Sequence, residues 1–111
     1  MATHHASPGD VVDLATWDTD LPAAHSKAIA KTAGLEIARL VLDAGEDMQH
    51  GGHCQVRGPI VIHCLEGEIE VDLPGRRQRL RPGQLLYLEG EAEHAIRGVL
   101  ASVALLTIVL V

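Results

Sequence analysis

Phenylalanine is absent from this chain of 111 residues, which holds one tryptophan, one tyrosine and two cysteines. Without aromatic bulk a core has to be built from Val, Ile, Leu and Ala, a composition that favours strands packed face to face. The cysteines, Cys54 and Cys64, lack CxxC spacing and are too few for a disulfide scaffold. They read as buried free thiols in a reducing compartment. Basic residues are also scarce: nine Lys and Arg stand against fifteen Asp and Glu, a formal net charge of −6. That balance excludes nucleic acid as a partner, because phosphate binding needs a basic face, and gives no attraction to an anionic membrane. The longest apolar run, 99–111, contains Ser102 and Thr107 and is too short to span a bilayer. Residues 1–10 (MATHHASPGD) lack the apolar stretch of a secretory leader. The expectation is a cytoplasmic protein. His4 and His5 read as part of a polar terminus rather than a site.

What is present is punctuation. Gly and Pro recur at short intervals from Gly34 to Gly98, with short apolar segments between them, as an antiparallel sandwich or barrel requires. The length fits a single domain spanning 1–111, with residues 1–20 as an N-terminal arm and 35–111 as the barrel core. Residues 23–31 (AAHSKAIAK) have helix-favouring Ala and Lys. A strand is preferred there and over 35–42, because a Thr-Ala-Gly turn joins the two and Gly45 closes the second. Residues 103–111 (VALLTIVLV) predict a strand.

The best-specified local structure is a hairpin around Pro74-Gly75. Glu68, Glu70 and Asp72 alternate with Ile69, Val71 and Leu73, and Arg77, Arg79 and Arg81 alternate with Gln78 and Leu80 on the return. A turn at Pro74-Gly75 pairs Asp72 with Arg77, Glu70 with Arg79 and Glu68 with Arg81, and sets Ile69 against Leu80 on the other face. The charges then share one wet face, each exposed pair contributing at most about 1 kcal/mol.

Chemistry concentrates in residues 50–64, where His50, His53 and His63 lie beside both cysteines. Residues two apart on a strand face the same side, so a His-x-His pair can grip one ion, and a distant strand can complete the coordination. These histidines can equally be polar residues that share an apolar strand. Glu89, Glu91 and Glu93 read as a solvated acidic loop. No serine sits in a nucleophile elbow, and neither cysteine adjoins a clear basic activator.

Two stretches carry a family resemblance. Residues 45–50 (GEDMQH), His53 and 58–71 (GPIVIHCLEGEIEV) resemble the first cupin motif, and 80–96 (LRPGQLLYLEGEAEHAI) resembles the second. The resemblance covers about residues 35–111 and is to the small single-domain cupins, of the cupin-2 conserved barrel type. It implies an all-β, double-stranded β-helix: a jelly-roll, RmlC-like cupin barrel, commonly a homodimer. It further implies a divalent transition metal (Zn, Fe, Mn or Ni) inside the barrel, held by two histidines and a carboxylate of the first motif and one histidine of the second. Counted back from Gly67, the first-motif positions fall on His53, Gln55 and Ile60; counted forward from Gly45, the two histidine positions fall on Gly51 and His53. Both counts keep His53, both lose the carboxylate, and His94 matches in the second motif. Glu89 and Glu91 replace the usual proline and glycine. The metal-ligand candidates are therefore His53, His94, His50 and Gln55. If position 60 faces inward, so do Ile62 and Cys64, and His63 faces outward toward a subunit contact, unless a bulge before Gly67 reverses it.

The implied function is a small metal-binding cupin whose pocket binds or transforms a small polar or anionic molecule. As an enzyme it would be a metal-dependent dioxygenase, isomerase or decarboxylase. The alternatives are a non-catalytic small-molecule sensor or storage module, and a degenerate barrel serving as an assembly scaffold.

Overall fold

Period-two alternation of aliphatic residues divides the chain into strands, and the computed structural model, which describes residues 5–14, 26–47 and 56–111, contains eight. They are β1 (Lys27–Lys31), β2 (Leu35–Leu42), β3 (Ile60–Glu66), β4 (Ile69–Leu73), β5 (Arg76–Leu80), β6 (Leu85–Leu88), β7 (Ala95–Gly98) and β8 (Ser102–Val109). All pairings are antiparallel and form two sheets, one ordered β1-β2-β8-β3-β6 and the other β5-β4-β7. This is the two-sheet, all-strand architecture expected of a jelly roll. The predicted strands over 35–42 and 103–111 are present as β2 and β8, and the strand preferred within 23–31 occupies Lys27–Lys31.

The main core lies between the sheets. In β3, Ile60, Ile62 and Cys64 are buried while the residues between them are not, and Ile69 and Val71 of β4 and Ile96 of β7 meet them from the other sheet. Each aliphatic side chain fully withdrawn from water contributes about 2 kcal/mol, which is how a core without phenylalanine is held. The single irregularity in the β3–β8 pairing falls between Cys64 and Glu66. It comes after His63, so His63 keeps the outward direction expected of it, on the face opposite Ile62.

The outer face of the five-stranded sheet is apolar too. Val12 and Leu14 of the N-terminal arm pack there with Ile29, Val103 and Leu105, and the Ala6 N–H donates to the Ile29 carbonyl at 2.7 Å. The arm thus covers part of the sheet's outer apolar face. Further along the same face, Leu85 and Tyr87 of β6, paired with His63 and Val61, remain 58% and 60% exposed.

The β4–β5 hairpin has the predicted register, with Asp72 opposite Arg77, Glu70 opposite Arg79 and Ile69 opposite Leu80. The Asp72–Arg77 ion pair forms at 3.6 Å. The predicted Glu68–Arg81 pair does not. β5 ends at Leu80, and the Arg81 N–H is drawn into the following turn by the Gln84 Oε1 at 2.8 Å. Arg79 instead spans both acids, reaching Glu68 at 3.1 Å and Glu70 at 3.5 Å, and Arg97 of β7 closes on Glu70 at 2.7 Å. The acids are also more covered than a wet face implies: the Glu68 and Glu70 side chains are only 18% and 12% exposed.

Where β3 passes to β4 the two sheets are stitched together. The Ser102 hydroxyl of β8 accepts the Glu68 N–H at 3.0 Å and faces the carbonyls of Leu100 and Glu68, to which it can donate. Gly67 turns the chain here with φ 76°, and a Cβ at this position would overlap the Ala101 carbonyl oxygen and the Ser102 hydroxyl. Gly75, in the hairpin turn, has a similar φ of 81° with open space around it. Gly67→Ala should therefore cost more than about 3 kcal/mol, whereas Gly75→Ala should cost about 1 kcal/mol of backbone strain alone. Denaturant unfolding of both variants measures the difference, and equal losses would contradict the stitched junction.

The Arg97 guanidinium, donating to Glu70, holds its carboxyl below the ordinary carboxylate range against the opposing effect of burial, with Arg77 and Arg79 assisting. A carboxyl whose folded pKa is depressed contributes stability that is complete above its unfolded pKa and is lost as pH falls through the folded one. Glu70→Gln should accordingly destabilise by on the order of 1 kcal/mol near neutral pH, and its deficit should close below about pH 4. Unfolding midpoints of the two proteins across that range test this; a deficit independent of pH would exclude the ion-pair origin.

Candidate functional site

His94 stands at the entry to β7, on the same face as Ile96, and is completely buried. Its direction follows from alternation: Ile96 and Gly98 are buried, Arg97 is exposed, and His94 lies two residues before Ile96. The Nδ1 atom lies 3.1 Å from the Ala92 carbonyl oxygen. A carbonyl can only accept, so this contact places the proton on Nδ1 and leaves a lone pair on Nε2. Nε2 is buried and has no hydrogen-bond partner among the described residues. An orphaned buried acceptor costs about 1–3 kcal/mol unless something binds it. An imidazole whose second nitrogen is fixed by a backbone carbonyl has the arrangement of a metal-ligating histidine.

The loop leading to His94 is anchored by its backbone. The Glu91 N–H donates to the Val56 carbonyl at 2.6 Å. Glu91 adopts φ 66°, a left-handed conformation that costs a residue bearing a Cβ roughly 1–2 kcal/mol, at a position where the resemblance expects glycine. Glu89, Glu91 and Glu93 are all exposed, as a solvated acidic loop should be. On the other side of His94, Arg97 forms an isolated bridge with Asp47. Asp47 and Val56 are the described residues that flank 48–55 in sequence, and they contact Arg97 of β7 and Glu91 of its loop, on either side of His94 in the chain.

The other three ligand candidates, His50, His53 and Gln55, lie outside the described residues, as does Cys54. Among the described residues, no three His, Cys, Asp or Glu side chains gather in a way that could hold a metal ion. Ile60, the position at which one count places the family's carboxylate, is a buried core residue. Cys64 is a buried free thiol that contacts the carbonyls of Glu66 and Gly67. Burial pushes its pKa up, with Glu68 adding to the rise and backbone hydrogen bonds from Ile69 and Glu66 opposing it. A raised pKa and an apolar setting make it a packing residue rather than a nucleophile. It also sits at the Ile69 end of β4, while His94 lies beyond Ala95, the partner of Asp72. The two are separated by about 13 Å along the strand. Sequence reasoning did not single out Arg39, which is 1% exposed on the outer face of β2 and whose pKa is lowered by burial. An alternating strand with one charge in it carries no signal that the charge will be covered.

No family model matches the sequence, and no curated protein is similar to it. Solved structures are. A cupin superfamily protein from Desulfitobacterium hafniense superposes with a TM-score of 0.73 at 21% identity, covering 78% of this chain and 77% of that one. The fold is the cupin barrel. A conserved protein of unknown function from Streptococcus pyogenes superposes with a TM-score of 0.77 at 22% identity over 100% of this chain and 96% of its own. A DMSP lyase from Ruegeria pomeroyi gives a TM-score of 0.66 at 20% identity over 77% of this chain, which spans 46% of that enzyme. At these identities the likeness concerns the barrel and its topology. Among the described residues no helix is long and apolar enough to cross a membrane.

Proposed function

We propose that this cupin barrel binds a small molecule at a divalent transition metal, with the His94 Nε2 as one ligand and His53, His50 and Gln55 supplying the others. The observation that carries this reading is the buried Nε2 of His94, unpartnered among the described residues, with the Nδ1 side of the ring held by the Ala92 carbonyl. The contacts of Asp47 and Val56 on either side of His94 support it, because these residues flank in sequence the segment that bears the other three candidates. A bound divalent ion supplies Lewis-acid polarisation or an oxygen-binding centre, the chemistry of a dioxygenase, isomerase or decarboxylase. The chain's own part is to hold: the Ala92 carbonyl fixes the ring, the aliphatic core keeps water from it, and the Glu91–Val56 bond fixes the loop. The ligand set lacks a carboxylate. Its neutral donors hold a divalent ion less firmly, which also suits a sensor or storage module that binds without turnover.

Purified protein should contain up to about one equivalent of metal per chain. His94→Leu should abolish uptake while leaving the far-ultraviolet β-sheet spectrum intact, and His63→Leu should leave uptake unchanged. Elemental analysis of the three proteins decides it. Equal metal content in His94→Leu and the parent would end the metal reading.

The same barrel is proposed to act as a homodimer in the cytoplasm. The reducing compartment suits the free thiol of Cys64, and the interface suits the exposed Leu85 and Tyr87 at the β6 end of the outer face. Light scattering at micromolar concentration should give twice the chain mass, and Tyr87→Glu should return it to the chain mass. A parent protein that is already monomeric would remove the interface.

A further inference from the structure

β5 and β6 are the terminal strands of different sheets, joined by the short turn at Pro82-Gly83, and a cleft of ≈ 530 Å³ opens between their edges. Its floor is aliphatic, formed by Leu80 and Leu86, both part of the main core or packed on it. Its polar walls are donor-rich. Arg76 and Gln78 share the parity of Leu80 and so face the cleft, not the outer surface where Arg77 and Arg79 meet their acids. Neither Arg76 nor Gln78 has an ion-pair or hydrogen-bond partner among the described residues. Gln84 lines the opposite wall; its Oε1 is taken by the Arg81 N–H, which leaves its NH2 free to donate. The Arg79 side chain also borders the cleft but is committed to Glu68 and Glu70. No described carboxylate lines it.

In a chain of net charge −6, a cleft that presents a guanidinium and two amides over leucines, with no acid in it, is selective by charge. A planar guanidinium recognises a carboxylate through paired hydrogen bonds, and a leucine floor takes an apolar body. We infer that the β5–β6 cleft is a binding site for a small organic acid, its carboxylate on Arg76 and the amide of Gln78 or Gln84, its hydrocarbon portion on Leu80 and Leu86. The site includes neither His94 nor any proposed metal ligand, so it stands or falls independently of the metal reading. A second copy of the chain cannot fill it by pairing β5 edge to β5 edge, because that would bring two arginine-rich strands together.

The probes are hexanoate, hexanol and inorganic phosphate, titrated into isotopically labelled full-length protein and followed by amide resonances. Hexanoate should shift residues 76–80 and 84–86 saturably; hexanol and phosphate, each carrying only half of the recognised chemistry, should bind at least about tenfold more weakly. Arg76→Gln should weaken hexanoate by a similar factor with the remaining spectrum unchanged. Arg81→Gln, which removes an exposed arginine outside the cleft, should not. Equal binding of hexanol, equal losses from both arginine variants, or shifts confined to other residues would overturn the assignment. So would tighter binding of an acidic pentapeptide than of hexanoate, which would make the cleft a strand-docking edge.

Discussion

A side chain on a strand has two directions and no third, and in a two-sheet barrel one of them is dry. Nearly everything about this molecule depends on that constraint. It sends Ile62 inward and His63 outward, buries His94 beside Ile96, and separates Arg77 and Arg79, which meet acids, from Arg76 and Gln78, which do not. With no phenylalanine to fill irregular space, the interior is closed by branched aliphatics that fit only if every strand keeps its parity. The one slip in β3 falls at its end, where Gly67 is already turning the chain toward the other sheet.

This is also why so much of the fold was legible from the sequence. The β4–β5 register follows from alternating acids and aliphatics around a Pro-Gly turn, and β8 follows from an unbroken β-branched run. Reading failed where alternation stopped being the governing rule. Arg81 continues the pattern on paper, yet the turn at Pro82-Gly83 removes it from the ladder, and Arg79 takes its acid. Residues 12 and 14 lie in an arm with no periodic signature, so nothing announced that they would cover the sheet's outer face. For the site, His94 could be named from the sequence because it matches the second motif, even though Glu89 and Glu91 depart from that motif. The first-motif candidates could not be fixed, because counts from Gly45 and from Gly67 disagree, and those residues lie outside the described structure.

Electrostatics follows the same division. Nine basic residues are few, and four of them stand in the six residues 76–81. On the outer side they are neutralised by Asp72, Glu68 and Glu70, so the strand contributes an ion-pair network bound to β7 through Arg97. On the inner side no described carboxylate lines the cleft beside Arg76. One strand thereby carries both a structural clamp and an arginine-bearing cleft.

The order of strands has a consequence for assembly. β8 follows the other seven described strands in sequence, yet it lies at the centre of the larger sheet, between β2 and β3, with Leu35 paired to Val109. Until β8 leaves the ribosome, the β1–β2 hairpin and the β3–β6 pair have no strand between them, and their inner faces have no complete sheet to close against. Such sequence-distant pairing places folding in the slow regime of β-barrels, milliseconds to seconds, and delays closure of the larger sheet until β8 is available. During that interval the edges of β2 and β3 are open to any neighbouring chain, so crowding during synthesis is the condition under which this barrel is most exposed to misassembly.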